Sequence, residues 1–373
     1  MTKRWCAVAV VMMAALIGAW SVAPVFAEGD IKVGIMAPTT GSEATYGKDM
    51  ENAISLAVSE INAKGGLLGK KVVTTTGDDA CDPQQGASAA SKLVSESVVA
   101  VVGGYCSGST LPTLKIYGDA GIPIIITAAN SSKLSGANPG NAFQINSTGA
   151  DQAITAVNLF KEKKVKKLAI VDQGDGYSAD LAALTAKKWK EMGNEVVAVE
   201  VINKGEQDDS ALVTRLNSKA PDAVFWTAYY ADGALLIKQL RQSGYHKLIA
   251  VGDGSNSPKL MELAGPAAEG VFCFSNPIVE YLPAAKTFGE TYKKKFGQDP
   301  GPYSALAYDG MNLLADAIKR AKSADKAAIM KALKETKDFN GIAGPISFNP
   351  DQTLARSNFV VLVAKGNAWS LYK

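Results

Sequence analysis

Short apolar runs typical of β-strands alternate with helix-length segments along most of this chain. The first run, 31–36, is followed by a stretch with helical spacing that ends at Gly65 and Gly66. Further strand-like runs lie at 71–76, 98–102, 123–127, 167–171, 194–201, 222–227, 247–251 and 269–274. Because this alternation is typical of doubly wound parallel sheets with helices on both faces, the sequence predicts an α/β fold.

The pattern changes after Pro277. Three helical stretches are predicted at 281–296, 302–321 and 325–335, and strands follow near 343–348, 357–363 and 368–372. A chain of 373 residues is long enough for about two domains, and no low-complexity linker divides it. Two α/β units without a linker indicate two lobes that are joined by more than one crossing of the chain.

The first 27 residues have the features of an export signal. Lys3 and Arg4 precede a long apolar stretch, and the segment closes on Val25-Phe26-Ala27, with small residues at its first and third places. We expect cleavage after Ala27 and a periplasmic mature protein. The alternative is a retained membrane anchor, since the uncharged run is about long enough to span a bilayer.

Charge and histidine content exclude several kinds of function. The formal net charge is only +3, and no run of lysine and arginine with interleaved aromatics is present, so we expect no nucleic-acid partner. His246 is the one histidine, which rules out a metal site built on several histidines. We expect neither a metal nor a cofactor.

Three cysteines follow the predicted signal. Cys81 and Cys106 are 25 residues apart, each at a strand-to-helix connection, and they can pair in an oxidising periplasm. Cys273 lies in a strand-like run, which favours a buried free thiol over a nucleophile.

Polar and aromatic residues follow several predicted strands, where open α/β sheets bind their ligands. Hydroxyl side chains follow two strands of the first unit, at 107–110 and 131–132. Tyr177, Tyr229 and Asp253 follow strands of the second unit. Such a set suits a zwitterion, with hydroxyls for its carboxylate and Asp253 for its ammonium. In the alternative interpretation the hydroxyls and Asp253 are only helix caps.

A competing motif lies at 174–179, where Gly174, Gly176 and Ala179 match G-x-G-x-x-A after a strand. Glu200 lies 21 residues further on, as a dinucleotide site would require. An exported NAD-type oxidoreductase is therefore an alternative function. Export and the absence of a visible acid-base pair for hydride chemistry argue against it.

Three strings resemble the leucine/isoleucine/valine-binding proteins of bacterial ABC importers. They are EINAKGGLLGKKV at 60–72, DDACDP at 78–83 and YCS at 105–107. The resemblance covers essentially the whole mature chain. It implies two Rossmann-like lobes of the type I periplasmic binding fold, crossed three times by the chain and closing on an amino acid. It also implies a disulfide between Cys81 and Cys106.

The resemblance implies roles for eight residues. Ser107 would hold the ligand carboxylate, and Asp253 would take the ammonium. Ala129, through its carbonyl, and Ser131, through its hydroxyl, would hold both of these groups. Tyr177 and Tyr229 would close over the ligand, Tyr46 would lie at the cleft, and Tyr303 would lie near the side-chain pocket. This chain departs from leucine binders at Asp253, where they have the longer glutamate, and at Asn130, which replaces an alanine-like residue.

We therefore expect a monomeric, non-enzymatic solute-binding protein for a neutral, branched-chain or other aliphatic amino acid, which delivers its ligand to an ABC permease. A ligand-sensing module for amino acids or amides is the remaining alternative. The expected lobes are 28–147 plus 277–347 for the first, and 148–276 plus 348–373 for the second.

Overall fold

The computed structural model describes residues 29–372 and contains two α/β lobes, each built on its own main sheet. Lobe 1 has a five-stranded sheet and lobe 2 a seven-stranded sheet. The predicted α/β class with two parallel-sheet lobes is confirmed. The export signal and its cleavage after Ala27 lie outside the described residues. Within those residues, no helix combines the length and apolarity that crossing a membrane would require.

The first segment of the chain forms the sheet of lobe 1. Its strands are β1 (Ile31–Ala37), β2 (Val72–Asp78), β3 (Ala100–Gly103), β4 (Ile124–Ile126) and β5 (Ala142–Gln144). They are parallel, in the order β2-β1-β3-β4-β5. Its helices are α1 (Ala44–Ala63), α2 (Pro83–Ser95), α3 (Ser107–Asp119) and α4 (Ser132–Gly136). The sequence did not predict β5, because Ala142–Gln144 has one large apolar residue, Phe143, and no apolar run like that of β4.

The second segment forms most of lobe 2. Its helices are α5 (Gly149–Glu162), α6 (Ser178–Glu191), α7 (Ser210–Ser218), α8 (Tyr230–Gln242) and α9 (Pro258–Ala264). Its strands are β6 (Lys167–Asp172), β7 (Glu195–Val201), β8 (Ala223–Trp226), β9 (Leu248–Val251) and β10 (Phe272–Ser275). A capping box between Thr148 and Asp151 fixes the start of α5, directly after the chain leaves lobe 1.

The third segment returns to lobe 1. It contains α10 (Lys286–Phe296), α11 (Ser304–Ala321), α12 (Lys326–Lys334) and the hairpin of β11 (Phe339–Gly341) and β12 (Gly344–Ile346). The helix predicted over 281–296 begins only at Lys286. Pro283 lacks a backbone N–H, and two short 3₁₀ turns at Val279–Tyr281 and Pro283–Ala285 replace the first part.

The last segment adds β13 (Val360–Lys365) and β14 (Ala368–Leu371) to lobe 2. Both pair antiparallel at one edge of a sheet whose other strands are parallel, in the order β14-β13-β10-β9-β8-β6-β7. The sequence indicated these strands but not their antiparallel direction.

The crossings between the lobes are tied to one another. The side-chain amide of Asn276 donates to Asn146 Oδ1 over 2.8 Å, and Asn358 N donates to Ser147 Oγ over 2.8 Å. We propose that the third crossing lies at about 356–359 and not at 348, because Gln352 still accepts a hydrogen bond from Gln144 N of β5. The other lobe boundaries stay predictions.

Candidate ligand-binding site

A small cavity lies between the lobes, at the carboxyl ends of strands from both sheets. Six of the eight predicted ligand residues line it: Ser107, Ala129, Tyr177, Tyr229, Asp253 and Tyr303. Four further residues complete the lining: Tyr105, Ala128, Asn130 and Gly254. The structure thus brings together side chains that are far apart in the sequence.

Asp253 is the charged group of this cavity. Its side chain is almost fully buried, with 2% exposure, directly after β9. Tyr177 donates its hydroxyl to Asp253 Oδ1 over 2.7 Å, and the amide of Gln152 donates to the same oxygen over 3.0 Å. Asn130 donates to Oδ2 over 3.1 Å. Asp253 therefore accepts several hydrogen bonds from uncharged donors.

Asp253 forms no ion pair with any lysine, arginine or histidine among residues 29–372. Burial raises the pKa of its carboxyl, while the bonds from Tyr177 and Gln152 act in the opposite direction. Asp253 is also not a helix cap, because Ser257 caps α9 through Lys259 N. The cavity wall thus carries a carboxylate without a positive partner.

Asn130 places an unused acceptor beside that carboxylate. It is 1% exposed, and its Nδ2 donates to Asp253 Oδ2 and to Gln152 Oε1. Its Oδ1 is buried and accepts no hydrogen bond from residues 29–372. A buried amide oxygen without a donor is unfavourable, so this atom is suited to a donor from a ligand.

Ser107 provides donors at another part of the cavity. Its Oγ accepts hydrogen bonds from the backbone N–H groups of Asn130, over 3.3 Å, and Ser131, over 3.2 Å. The hydroxyl proton therefore remains available for an outside acceptor. Ser107 is also the first residue of the 13-residue helix α3, where backbone N–H groups lack intrahelical partners and favour an anion.

Ser131 and Tyr46 are not among the lining residues. The Ser131 hydroxyl donates to Asp180 Oδ2 over 3.0 Å. Tyr46 stacks on Tyr105 with ring centroids 4.9 Å apart, and its hydroxyl donates to Asn256 O over 3.2 Å. Tyr46 thus supports Tyr105 from behind, and ligand contacts by Ser131 and Tyr46 stay predictions.

Tyrosine rings form most of the remaining wall. Tyr105 lies 5.4 Å from Tyr303 and 6.1 Å from Tyr229 between ring centroids, and Tyr177 lies 5.7 Å from Tyr229. Burial raises the pKa of all four phenols well above the usual value, so they remain neutral. Tyr105 was missed as a wall residue, although its position two residues after β3 could have indicated it.

The disulfide between Cys81 and Cys106 is confirmed, with Cα atoms 5.3 Å apart. It joins the turn after β2 to the residue directly before α3, and so it fixes the backbone that presents Ser107. Cys273 is a buried free thiol, as the sequence predicted. Within the described residues, no three histidine, cysteine, aspartate or glutamate side chains form a group suited to a metal ion.

The G-x-G-x-x-A motif forms a turn that its own side chains fill. Asp175 Oδ1 accepts the backbone N–H groups of Tyr177 over 2.8 Å and Ser178 over 3.1 Å at the start of α6. A Cβ at Gly176 would lie 3.1 Å from Gly108 Cα in the other lobe. Two N–H groups that a pyrophosphate would need are thus bound to Asp175, and Gly108 lies against the turn, which argues against the dinucleotide hypothesis.

A family model described as "Periplasmic binding protein" matches residues 30–368 of this chain. The chain belongs to that family. The match includes strands and helices of both lobes. The resemblance predicted from the three sequence strings is confirmed.

Relatives of this periplasmic binding protein have been characterised by sequence and by structure. "Leu/Ile/Val-binding protein homolog 2" of Brucella abortus is 32% identical over 89% of this chain and 90% of that protein. The leucine binding protein LivK of Thermotoga maritima has a TM-score of 0.86 at 29% identity, over 92% of this chain and 98% of that one. LivJ of Streptococcus pneumoniae, in complex with isoleucine, has a TM-score of 0.83 at 30% identity, over 91% and 97%. These relatives are binding proteins, which fits the expectation that this one is not an enzyme.

Proposed function

We propose that this periplasmic binding protein captures a neutral amino acid, in the first instance leucine, isoleucine or valine, by closing its lobes around it. The observation that carries the proposal is the Asp253 carboxylate, which lines the cavity, is 2% exposed and has only uncharged donors. An unpaired buried charge is unfavourable, and a ligand ammonium would compensate it. Asn130 Oδ1 would accept a second ammonium proton.

The ligand carboxylate is assigned to Ser107. Its hydroxyl proton and the first turn of α3 together offer donors of the kind that a carboxylate requires. A molecule with a carboxylate but no ammonium would bring a second negative charge next to Asp253. The site therefore favours a zwitterion over a simple acid.

The tyrosine wall favours an apolar side chain. The hydroxyl of Tyr177 is engaged with Asp253, and that of Tyr105 with Glu43 Oε2 over 3.3 Å. This leaves mainly ring surface for contact with the ligand.

Two predicted roles are adjusted in this proposal. The Ala129 carbonyl already accepts a hydrogen bond from Gln144 Nε2 over 3.2 Å, and its second lone pair remains for the ligand ammonium. Asn130 takes the place that the sequence assigned to Ser131, because Asn130 lines the cavity and Ser131 does not.

We also propose that the mature protein is a periplasmic monomer that delivers its ligand to an ABC permease. The predicted export signal and the family of the chain support this proposal. Uptake of radiolabelled amino acid into vesicles that contain the permease, with and without the binding protein, separates delivery from a purely sensing role. Uptake that is independent of the protein would contradict delivery.

A thermal-shift screen of the natural amino acids tests the ligand class. The protein is first unfolded and refolded to remove any bound ligand. A ligand at 100 times its dissociation constant adds about 2.7 kcal/mol to the free energy of unfolding. We expect leucine, isoleucine or valine to give the largest shift and benzoate to give none. A shift with benzoate that equals or exceeds those of the amino acids would contradict the zwitterion assignment.

A further inference from the structure

Asp180 makes the densest polar contact between the lobes outside the cavity. It lies in the first turn of α6 in lobe 2, and its side chain reaches the start of α4 in lobe 1. Asp180 Oδ2 accepts hydrogen bonds from Ser131 Oγ over 3.0 Å and from Ser132 N over 2.6 Å, and Oδ1 accepts one from Ser132 Oγ over 2.7 Å. We call this set the Asp180 contact.

The Asp180 contact is largely shielded from solvent, although Ser132 is partly exposed. Asp180 is 8% exposed and Ser131 is 2% exposed. Hydrogen bonds to a charged acceptor are stronger than neutral ones, and a low local dielectric strengthens them further. Because its donors belong to lobe 1 and its acceptor to lobe 2, the contact exists only when the lobes are closed.

The same segment of lobe 1 connects the contact to the ligand site. Ser131 gives its hydroxyl to Asp180 and its backbone N–H to Ser107 Oγ. Its neighbour Asn130 gives a backbone N–H to Ser107 Oγ and a side-chain N–H to Asp253. One short stretch of backbone therefore serves both the proposed carboxylate site and the closure of the lobes.

On the other side of the cleft, α6 makes a similar connection. Tyr177 directly precedes α6 and lines the cavity, and Asp180 follows it by three residues. Residues three apart on a helix lie on neighbouring parts of its surface. When Tyr177 closes over a ligand, α6 therefore brings Asp180 to Ser131 and Ser132.

We propose that Asp180 is a positioning residue that holds the closed state and slows ligand release, without touching the ligand. Residues that interact only in the closed state change the dissociation rate more than the association rate. The proposal rests on the proposed function only in that some ligand must close the lobes.

Leucine binding kinetics of Asp180→Ala provide the first test. Loss of the acceptor leaves Ser132 N and Ser131 Oγ without a partner on closure, so we expect leucine to dissociate roughly 10- to 100-fold faster, with an association rate within about 3-fold of wild type. Asp180→Asn can still accept from Ser132 N and should be intermediate. The melting temperature without ligand should stay near that of wild type.

Asp222→Ala is the matched control. Asp222 also accepts backbone N–H groups, from Lys166 over 3.1 Å and Lys167 over 3.0 Å, but both partners are in its own lobe. We expect this variant to lower the melting temperature and to leave leucine dissociation unchanged. If Asp180→Ala instead lowers ligand-free stability and leaves dissociation unchanged, its role is structural and the proposal is wrong.

A crosslink tests the contact without any ligand and so separates this proposal from the proposed function. Oxidation of the Asp180→Cys/Ser132→Cys double variant should give an additional disulfide and a smaller radius of gyration in the absence of amino acids. Failure to crosslink both without amino acids and with the amino acids of the screen, under conditions that oxidise exposed thiols, would overturn the contact, whatever the ligand is. Crosslinking of this variant, together with no leucine binding by the wild-type protein, would overturn only the assigned ligand.

Discussion

Asn130 of lobe 1 donates its side-chain N–H to Asp253 of lobe 2, over 3.1 Å between Nδ2 and Oδ2. The bond crosses the cleft at the cavity, and both residues are almost fully buried. Asn130 therefore contributes to closure through Nδ2 and, in our proposal, to ammonium binding through Oδ1. The nitrogen and the oxygen of one side-chain amide thus have different roles.

The dual role predicts that Asn130→Ala weakens ligand binding by roughly 10-fold or more, because a donor to a buried carboxylate and a ligand acceptor are lost together. Titration calorimetry with the best ligand of the screen measures the change. Asn138→Ala is the control, since Asn138 Oδ1 accepts three backbone N–H groups within lobe 1, away from the cavity. Asn138→Ala should lower the free energy of unfolding and leave the ligand affinity unchanged. If Asn130→Ala binds the ligand as tightly as wild type, the dual role of Asn130 is contradicted.

Closure brings two glycines into contact across the cleft. A Cβ at Gly176 would lie 3.1 Å from Gly108 Cα and 3.2 Å from Gly108 N, which is closer than backbone atoms accommodate easily. We expect Gly176→Ala to weaken binding by roughly 5- to 100-fold and to increase the radius of gyration of the ligand-bound protein in X-ray scattering.

Gly136→Ala provides the control for closure, because a Cβ at Gly136 would meet no atom of residues 29–372 within 4 Å outside its own helix and chain neighbours. This variant should close like wild type, so ligand binding should decrease its radius of gyration by the same amount as in wild type. An unchanged radius in saturated wild-type protein would argue against closure itself.

Binding should depend on pH through Asp253. Burial raises the pKa of this carboxyl in the folded protein, and a ligand ammonium would pair with its ionised form. Binding is therefore strongest above the raised pKa and weakens as the pH falls through it. The weakening begins at a higher pH than it would for an ordinary aspartate, whose pKa is about 3.9. In this range, binding should release a proton, which calorimetry in buffers of different ionisation enthalpy detects.

Asp253→Asn should abolish most of that pH dependence. Glu43 is a second buried acid near the site, with a pKa that burial also raises, and it remains in the variant. If the pH dependence persists in Asp253→Asn, another buried acid such as Glu43, and not Asp253, is the titrating group.

The Cys81–Cys106 bridge closes a loop with a sequence separation of 25 residues. On the chain-entropy model, we expect Cys81→Ser/Cys106→Ser to lower the free energy of unfolding by about 3.5 kcal/mol. Denaturant titration measures this, with Cys273→Ala as a control that removes only the free thiol. Mass spectrometry of non-reduced periplasmic protein should show one bridge; three free thiols would contradict the pairing.

Much of the fold was predictable because buried parallel strands such as β4, with three isoleucines, stand out from their polar surroundings. Asp253 and Tyr177 were predictable for a related reason, since each directly follows a strand or its connecting turn. Gln152 was not, because it is the fourth residue of α5 and nothing in the local pattern indicates that its side chain reaches Asp253. Asp180 was missed because its partners belong to the other lobe, and sequence spacing carries no information on that contact.

The affinity of Asp253→Asn for leucine tests the central claim most directly. The substitution keeps the size of the side chain and removes the charge that we assign to the ligand ammonium. Loss of one member of a buried charge pair typically costs about 2–5 kcal/mol, so the account predicts that affinity falls by roughly 30-fold or more. Ser107→Ala, which removes one of several carboxylate donors, should cost about 1.5–3 kcal/mol. Calorimetry in which Asp253→Asn binds leucine as tightly as wild type would contradict the account and place the ammonium elsewhere.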